Sequence, residues 1–333
     1  MTLRQIVMPA AILFALAALT GCSVRPPVAS QAVAPIEIRA NTGAVESAPV
    51  LLAARDFMPA ALEVGRGAIP NLIGAPNIAG VFDPGPADVA THAETQALRY
   101  SVDHPEIRII LTATEGEYRI VARRSAGIAS ISDLKGKRIG TLPNTSADFF
   151  VHRMLAHNGI GADELTIQRV SIADMADALV ARQVDAIAIW DPYGADAARA
   201  IGADLITFSD PDVYRERFNL NSTSERLADP AKRRAIVRFV RAVIDASTAL
   251  KDDPSRAQAL IAERSGFSPE QVAGAWPHLR FPAAIPGDLL DAMVVEEQWL
   301  AQRAERTPRS REELAGLIDH SVYEEAMALE LER

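Results

Sequence analysis

Hydroxyl, amide and carboxyl side chains recur at one kind of place in this chain, just after a short apolar run and just before a helix-patterned segment. Asn144-Thr145-Ser146 follows the run Arg138 to Thr141 and precedes a helical stripe of Ala147, Phe150, Val151 and Met154. Trp190-Asp191 closes the apolar run Ala186 to Ile189. His92, Glu94 and Thr95 lie in a third junction, Thr42 and Glu46 in a fourth, and Thr114 and Glu115 in a fifth. Such ends collect free backbone N–H groups and the positive end of the helix dipole, which favour an anionic head group. They are also where open α/β sheets bind ligands. The chemistry on offer is capture by hydrogen bonds rather than the making of bonds.

Catalytic patterns fare worse. His92-Ala93-Glu94 has the H-x-E form of zinc deaminases, but the C-x-x-C partner cannot exist in a chain with one Cys. The six His are dispersed, and His152 and His157, five apart, share no helix face that suits a metal. There is no G-x-S-x-G elbow and no phosphate-cradling glycine motif. No enzyme activity, catalytic residue, metal or cofactor is expected. Net charge is −9 with scattered Lys and Arg, so nucleic acid is not an expected partner.

Each binding candidate has a plainer reading. Asn144, Thr145 and Ser146 also suit a helix cap, and both roles can hold at once. Trp190 is either a core residue or an aromatic pocket wall. Glu94 is either a capping acid at a helix start or a reader of a cationic or hydrogen-bonding part of a ligand, a role open to His92 as well.

The elements that hold these positions alternate. At 333 residues, 49% apolar and 23% charged, the chain is long enough for two globular lobes. Strand patterns are expected at Ile36 to Arg39, Ala87 to Ala90, Ile107 to Thr112, Tyr118 to Ala122, Arg138 to Thr141, Thr166 to Val170, Ala186 to Ile189, Leu205 to Phe208 and Asn219 to Ser222. Thr91 to Thr95 opens a helix in this reading, and Ala113 to Glu117 is a polar loop. Ser130/Asp133, Thr145/Asp148 and Ser171/Asp174 are helix starts. The β-α-β order from residue 138 to 208 implies a parallel sheet with right-handed crossovers. After Asp210 the pattern is helical, with Asp229-Pro230, Asp253-Pro254 and Ser268-Pro269 as starts. Phe57 to Pro86 is rich in Gly and Pro and is left unassigned, with short strands near Glu63-Val64 and Ala79 to Phe82.

At the N-terminus, MTLRQIV precedes an apolar run too short to span a bilayer, the layout of a signal peptide. It ends in Leu19-Thr20-Gly21-Cys22, which resembles the lipobox of bacterial lipoproteins. That resemblance implies cleavage before Cys22, diacylglycerol in thioether linkage to its sulfur, palmitate on the anchor, and, from Ser23, outer-membrane sorting on the periplasmic side. The alternative is a buried Cys in an uncleaved anchor. Residues 23 to 35 read as a tether.

Three motifs carry a further resemblance. Ile131-Ser132-Asp133-Leu134-Lys135-Gly136-Lys137-Arg138-Ile139-Gly140, the run Ala178 to Ala186 (ALVARQVDA) and Trp190-Asp191-Pro192-Tyr193 resemble the type II periplasmic binding proteins of the nitrate, taurine, aliphatic-sulfonate and thiamine-precursor group. Gln298-Trp299-Leu300 also fits, and the likeness runs from about Ile36 to Tyr323. Phe57 to Pro86 departs from the group's pattern. The resemblance implies an α/β fold of two lobes, each a mostly parallel sheet flanked by helices, with a helical C-terminal part. Residues 1–21 are then the signal peptide, 22–35 the lipid-anchored tether, 36–122 plus 209–333 lobe one, and 123–208 lobe two. Hinges are expected near Ala122 to Ser125 and Ala203 to Phe208. The implied role is a monomeric substrate-binding lipoprotein of an ABC importer. It would pass a sulfonate-like anion or a nitrogen-containing heterocycle from the interlobe cleft to permease and ATPase subunits. The alternative role is a ligand sensor that signals to a membrane partner. Acidic residues near one cleft suit an amine or heterocycle better than bare nitrate. The group's fungal pyrimidine synthase has a Cys-rich motif, which cannot be present here because Cys22 is the only Cys.

Overall fold

The computed structural model describes residues 35–58, 60–76 and 82–329. The signal segment, Cys22 and most of the tether lie outside them. The first strand, β1 (Ile38–Ala40), leads through a tight turn at Val45–Ser47 into α1 (Ala48–Leu52), which widens into a π-helical stretch at Ala53–Phe57. Next come β2 (Val64–Arg66), α2 (Ile69–Ile73), β3 (Val89–Ala93), α3 (Glu94–Tyr100) and β4 (Ile107–Gly116). The chain then crosses to a second sheet through β5 (Arg119–Arg123), β6 (Arg138–Thr141), α4 (Ser146–His157), β7 (Thr166–Arg169), α5 (Met175–Val180), β8 (Ala186–Ile189), α6 (Tyr193–Ile201) and β9 (Leu205–Phe208). It returns in β10 (Glu216–Thr223) and continues as α7 (Ser224–Ala228), α8 (Pro230–Asp252), α9 (Ser255–Ser265), α10 (Pro269–Ala275), β11 (Leu279–Arg280), α11 (Leu289–Arg303), α12 (Arg311–Ala315) and α13 (His320–Ala328).

Two sheets result, ordered β11-β4-β10-β3-β1-β2 and β7-β6-β8-β5-β9. In each, three neighbouring strands pair in parallel: β3-β1-β2 and β7-β6-β8. The strands that carry the chain across or back, β10 in the first sheet and β5 in the second, pair antiparallel. The first sheet is covered on one side by α1, α8, α9 and α13 and on the other by α2, α3 and α11, each face closing its own apolar cluster. The second sheet has a separate core that includes Ile139, Phe150, Leu179 and Ile187.

Local chemistry explains the boundaries. Asp229 Oδ1 accepts from the N–H groups of Ala231 (2.8 Å) and Lys232 (3.1 Å), and Pro230 takes the first helical position, where no N–H is missed. The buried stripe Ile236, Phe239, Val240 and Val243 then pins α8 to the sheet, each side chain contributing on the order of 2 kcal/mol of burial. Ser268 and Gln271 form the reciprocal cap of α10.

Several boundaries differ from the sequence reading. β3 runs on to Ala93, so Thr91 and His92 are strand residues and the helix starts at Glu94. β4 runs on to Gly116, so Thr114 and Glu115 are not in a loop; antiparallel pairing with β10 extends it. Arg119–Arg123 pairs with β8 and β9, so this strand belongs to the second sheet rather than the first. The crossings accordingly fall at residues 117–118 and 209–215, not at the expected hinges. The Gly/Pro-rich segment holds β2 and α2. It is tied by Asn71, whose side-chain amide donates to the carbonyls of Asp83 (3.0 Å) and Gly85 (2.7 Å). A strand did form at Val64, but the one expected at Ala79 to Phe82 falls largely outside the described residues.

Candidate functional site

The strand ends of the two sheets face each other across the crossings. From the first sheet come Thr42 and Glu46 after β1, Glu94 after β3, and Glu216 at the start of β10, all buried. From the second come Ser146 at the start of α4 and Asp191 after β8. Tyr118 and Tyr214, one on each crossing, form the floor, with ring centroids 6.0 Å apart.

The polar atoms interlock. Tyr118 Oη and Ser146 Oγ are 3.0 Å apart, and Ser146 Oγ donates to Glu216 Oε1 at 3.3 Å, which ties the second lobe's helix start to the first lobe's strand. Thr114 Oγ1 donates to the Glu46 carbonyl at 2.7 Å. Both Glu94 oxygens are engaged, by Tyr214 Oη at 2.7 Å and by the Arg217 N–H at 2.9 Å. In contrast, Glu46 Oε2 and Glu216 Oε2 accept no hydrogen bond among the described residues. Gly116 allows the close approach here, since a Cβ at that position would stand 3.0 Å from Glu216 Oε2.

Burial dominates the electrostatics. Desolvation, with a smaller push from Asp191, raises the Glu46 carboxyl to about 7. Burial and then the charges of Glu46 and Glu94 raise Glu216 well above the usual carboxyl range, and burial and Glu94 do the same for Glu296. Tyr118 and Tyr214 are likewise pushed up by burial and by neighbouring carboxylates. Burial thus favours the protonated form of Glu216 and of both phenols, and Glu46 titrates near neutral pH. The guanidinium at this cleft, Arg119, is already occupied. It grips Asp191 with contacts of 2.6 and 2.7 Å and reaches His278 Nε2 at 2.7 Å. The buried junction between the lobes thus presents hydroxyls and carboxyl groups, and among the described residues its guanidinium, Arg119, is already paired with Asp191.

The junction residues expected from sequence divide into groups. Glu46, Thr114, Ser146, Asp191 and Glu94 are brought together. Thr42 is buried beside them on the turn after β1. Thr95 is buried next to Glu296. Asn144, in the left-handed region at φ 61°, stands at the rim, its carbonyl accepting from Gln96 Nε2 at 2.9 Å. Thr145 does not cap α4 with its side chain; its hydroxyl turns back to the Leu142 carbonyl at 2.6 Å. Trp190 is half-buried against the second core. His92 is not with the group. Its ring packs against Tyr100 at 6.2 Å and Phe82 at 6.4 Å, and burial and then Arg99 lower it to about 3, so it is neutral. Glu115 points away toward Arg215, at 3.4 Å. Tyr118, Arg119, Tyr214, Glu216 and Glu296 were missed. A signal existed for Glu216: the charged triplet Arg215-Glu216-Arg217 directly precedes the apolar-polar run from Phe218, and an antiparallel strand starts at the edge where its parallel neighbours end.

Two α/β lobes, crossed twice by the chain and meeting at strand ends, define the periplasmic-binding-protein class of clamp. A Candida albicans protein described as having the generic fold of that class aligns over 86% of this chain and 96% of its own, with a TM-score of 0.60 at 13% identity. The chain belongs to the NMT1/THI5-like family, whose model matches residues 80–257, more than half its length. Among solved structures it is similar to the ligand-binding component of an ABC-type import system from Staphylococcus aureus (TM-score 0.66, 16% identity, 87% of this chain and 98% of that one). It is also similar to the alkanesulfonate-binding protein SsuA of Xanthomonas axonopodis pv. citri (TM-score 0.62, 19% identity, 87% and 100%). The desulfurization enzyme DSZB shares the fold as well (TM-score 0.58, 14% identity, 88% and 99%). A Brucella abortus chain assigned as a binding protein is 32% identical over 74 residues, a match spanning only 23% of that relative and 22% of this chain.

Proposed function

We propose that this chain is the solute-binding component of an ABC importer, anchored through lipid on Cys22 at the periplasmic side of the envelope. Its interlobe cleft takes a small nitrogen-containing heterocycle or amine and passes it to a permease. One observation carries the choice of solute. Glu46 and Glu216 each keep a buried carboxyl oxygen without a partner among the described residues at the junction of the lobes. A buried polar atom left unpaired costs about 1–3 kcal/mol, and an N–H donor from a ligand removes that cost. A sulfonate would bring a second negative charge to these carboxyl groups and would find Arg119 already held by Asp191. The sulfonate specificity of the SsuA relatives is therefore not carried over.

Thermal denaturation with two probes tests this reading. An aminopyrimidine is expected to raise the melting temperature in a concentration-dependent way, and methanesulfonate to leave it unmoved. The reverse pattern would contradict the proposal.

A further inference from the structure

The other face of the same crossing strand carries a second pocket. Side chains alternate along a strand, so Glu216 turns to the cleft and Arg217 to the opposite side. There a cavity of about 540 Å³ is lined by Arg153 of α4, Arg215 on the crossing just before β10, Arg217 of β10 and Arg280 of β11. Phe149, Val213 and Val295 supply an apolar wall, and Val295 is a large apolar side chain left exposed.

The charges there are unevenly paired. Arg215 faces Glu115 at 3.4 Å, and Arg217 Nη2 meets Asp288 at 2.5 Å. Asp288 is itself 66% exposed, a rim residue that an incoming anion can displace. Asp291 is turned to Arg311 at 2.6 Å, and Asp212 lies exposed at the edge. Arg153 and Arg280 make no ion pair among the described residues. Arg217 is only 7% exposed, yet its Nε has no hydrogen-bond partner among the described residues. A guanidinium cannot escape burial by losing its proton, so an unpaired N–H on it calls for an acceptor. Planar guanidinium forks match carboxylates with paired hydrogen bonds.

We propose that this pocket is a second ligand site, which binds a small organic acid. The carboxylate meets Arg217 and Arg280, and the apolar body rests against Phe149, Val213 and Val295. Arg153 and Phe149 ride on the second lobe while Arg217, Arg280 and Val295 belong to the first, so an occupant bridges the lobes outside the cleft.

Calorimetric titration of the full-length chain with benzoate tests it. One equivalent is expected to bind, and replacing both exposed-side arginines (Arg153→Ser with Arg280→Ser) is expected to weaken binding by about tenfold or more. Glu216→Gln, in the cleft, is expected to leave benzoate affinity unchanged. Two results would overturn the proposal: no benzoate binding to the wild-type chain, or binding that Glu216→Gln abolishes while the arginine double variant retains it. Circular dichroism of each variant separates lost binding from lost fold.

Discussion

Glu216 and Arg217 are sequence neighbours on β10, both buried, and they solve burial in opposite ways. The carboxyl group can shed its charge by holding a proton, so Glu216 sits among two phenols and other carboxyl groups without a counter-ion. The guanidinium cannot, so Arg217 recruits Asp288 and looks out on a pocket of further arginines. One strand therefore borders two sites of contrary character. The chain's net charge of −9 predicts neither, because local burial and pairing set what each face can hold.

The contrast can be broken most forcefully at Asp191. Its carboxylate neutralises Arg119, and Asp191→Ala would leave that guanidinium largely buried at the cleft. A loss of about 3 kcal/mol is expected in urea denaturation, together with a new affinity for methanesulfonate. A neutral substitution would mean that Arg119 is solvated and that the cleft's lack of free positive charge does not depend on Asp191.

Titration sharpens the comparison next. A carboxyl raised from 4.5 to about 7 contributes stability that is fully present below pH 4.5 and is lost as pH climbs through 7, so Glu46 makes the fold weaker on the alkaline side. His92, lowered from 6.5 to about 3, works the other way; its contribution is complete above pH 6.5 and is lost as pH falls toward 3. Melting temperature followed from pH 4 to 8 should show a shallower alkaline decline in Glu46→Gln and a shallower acid decline in His92→Phe. Identical profiles for the wild type and both variants would refute the two assignments.

Smaller effects follow at the floor. Tyr118→Phe removes the contact to Ser146 and should cost about 1 kcal/mol of stability, while aminopyrimidine affinity falls by less than about tenfold. His92→Phe should leave that affinity within about twofold of wild type, as its ring packs with Phe82 and Tyr100 away from the paired carboxyl groups. A large loss at His92 would move the site toward β3 and dissolve the comparison.

Much of the second sheet was legible because its signals are local. β6, β8 and β9 end where apolar runs end, and polar cap residues mark the helix starts between them. Glu46, Ser146 and Asp191 were proposed by the same logic, since strand ends followed by helices are readable from sequence. What escaped depends on distant partners. Thr114 and Glu115 read as loop because the strand that pairs with them, β10, lies about a hundred residues on. Tyr118, Tyr214 and Glu216 sit on crossings, and nothing local says that two crossings form one floor. The segment from 57 to 86 lacks periodicity because side chains such as Asn71 bind its backbone, where a buried stripe would usually hold it.

The central claim is that Glu216 and its neighbours, not the arginine face, hold the solute. Calorimetric titration of an aminopyrimidine into the wild-type chain, Glu216→Gln and the Arg153→Ser/Arg280→Ser double variant tests it most directly. The account predicts a loss of about tenfold in Glu216→Gln, the worth of one hydrogen bond at a buried acceptor, and an unchanged affinity in the arginine variant. Unchanged affinity in Glu216→Gln, with loss in the arginine variant, would contradict it.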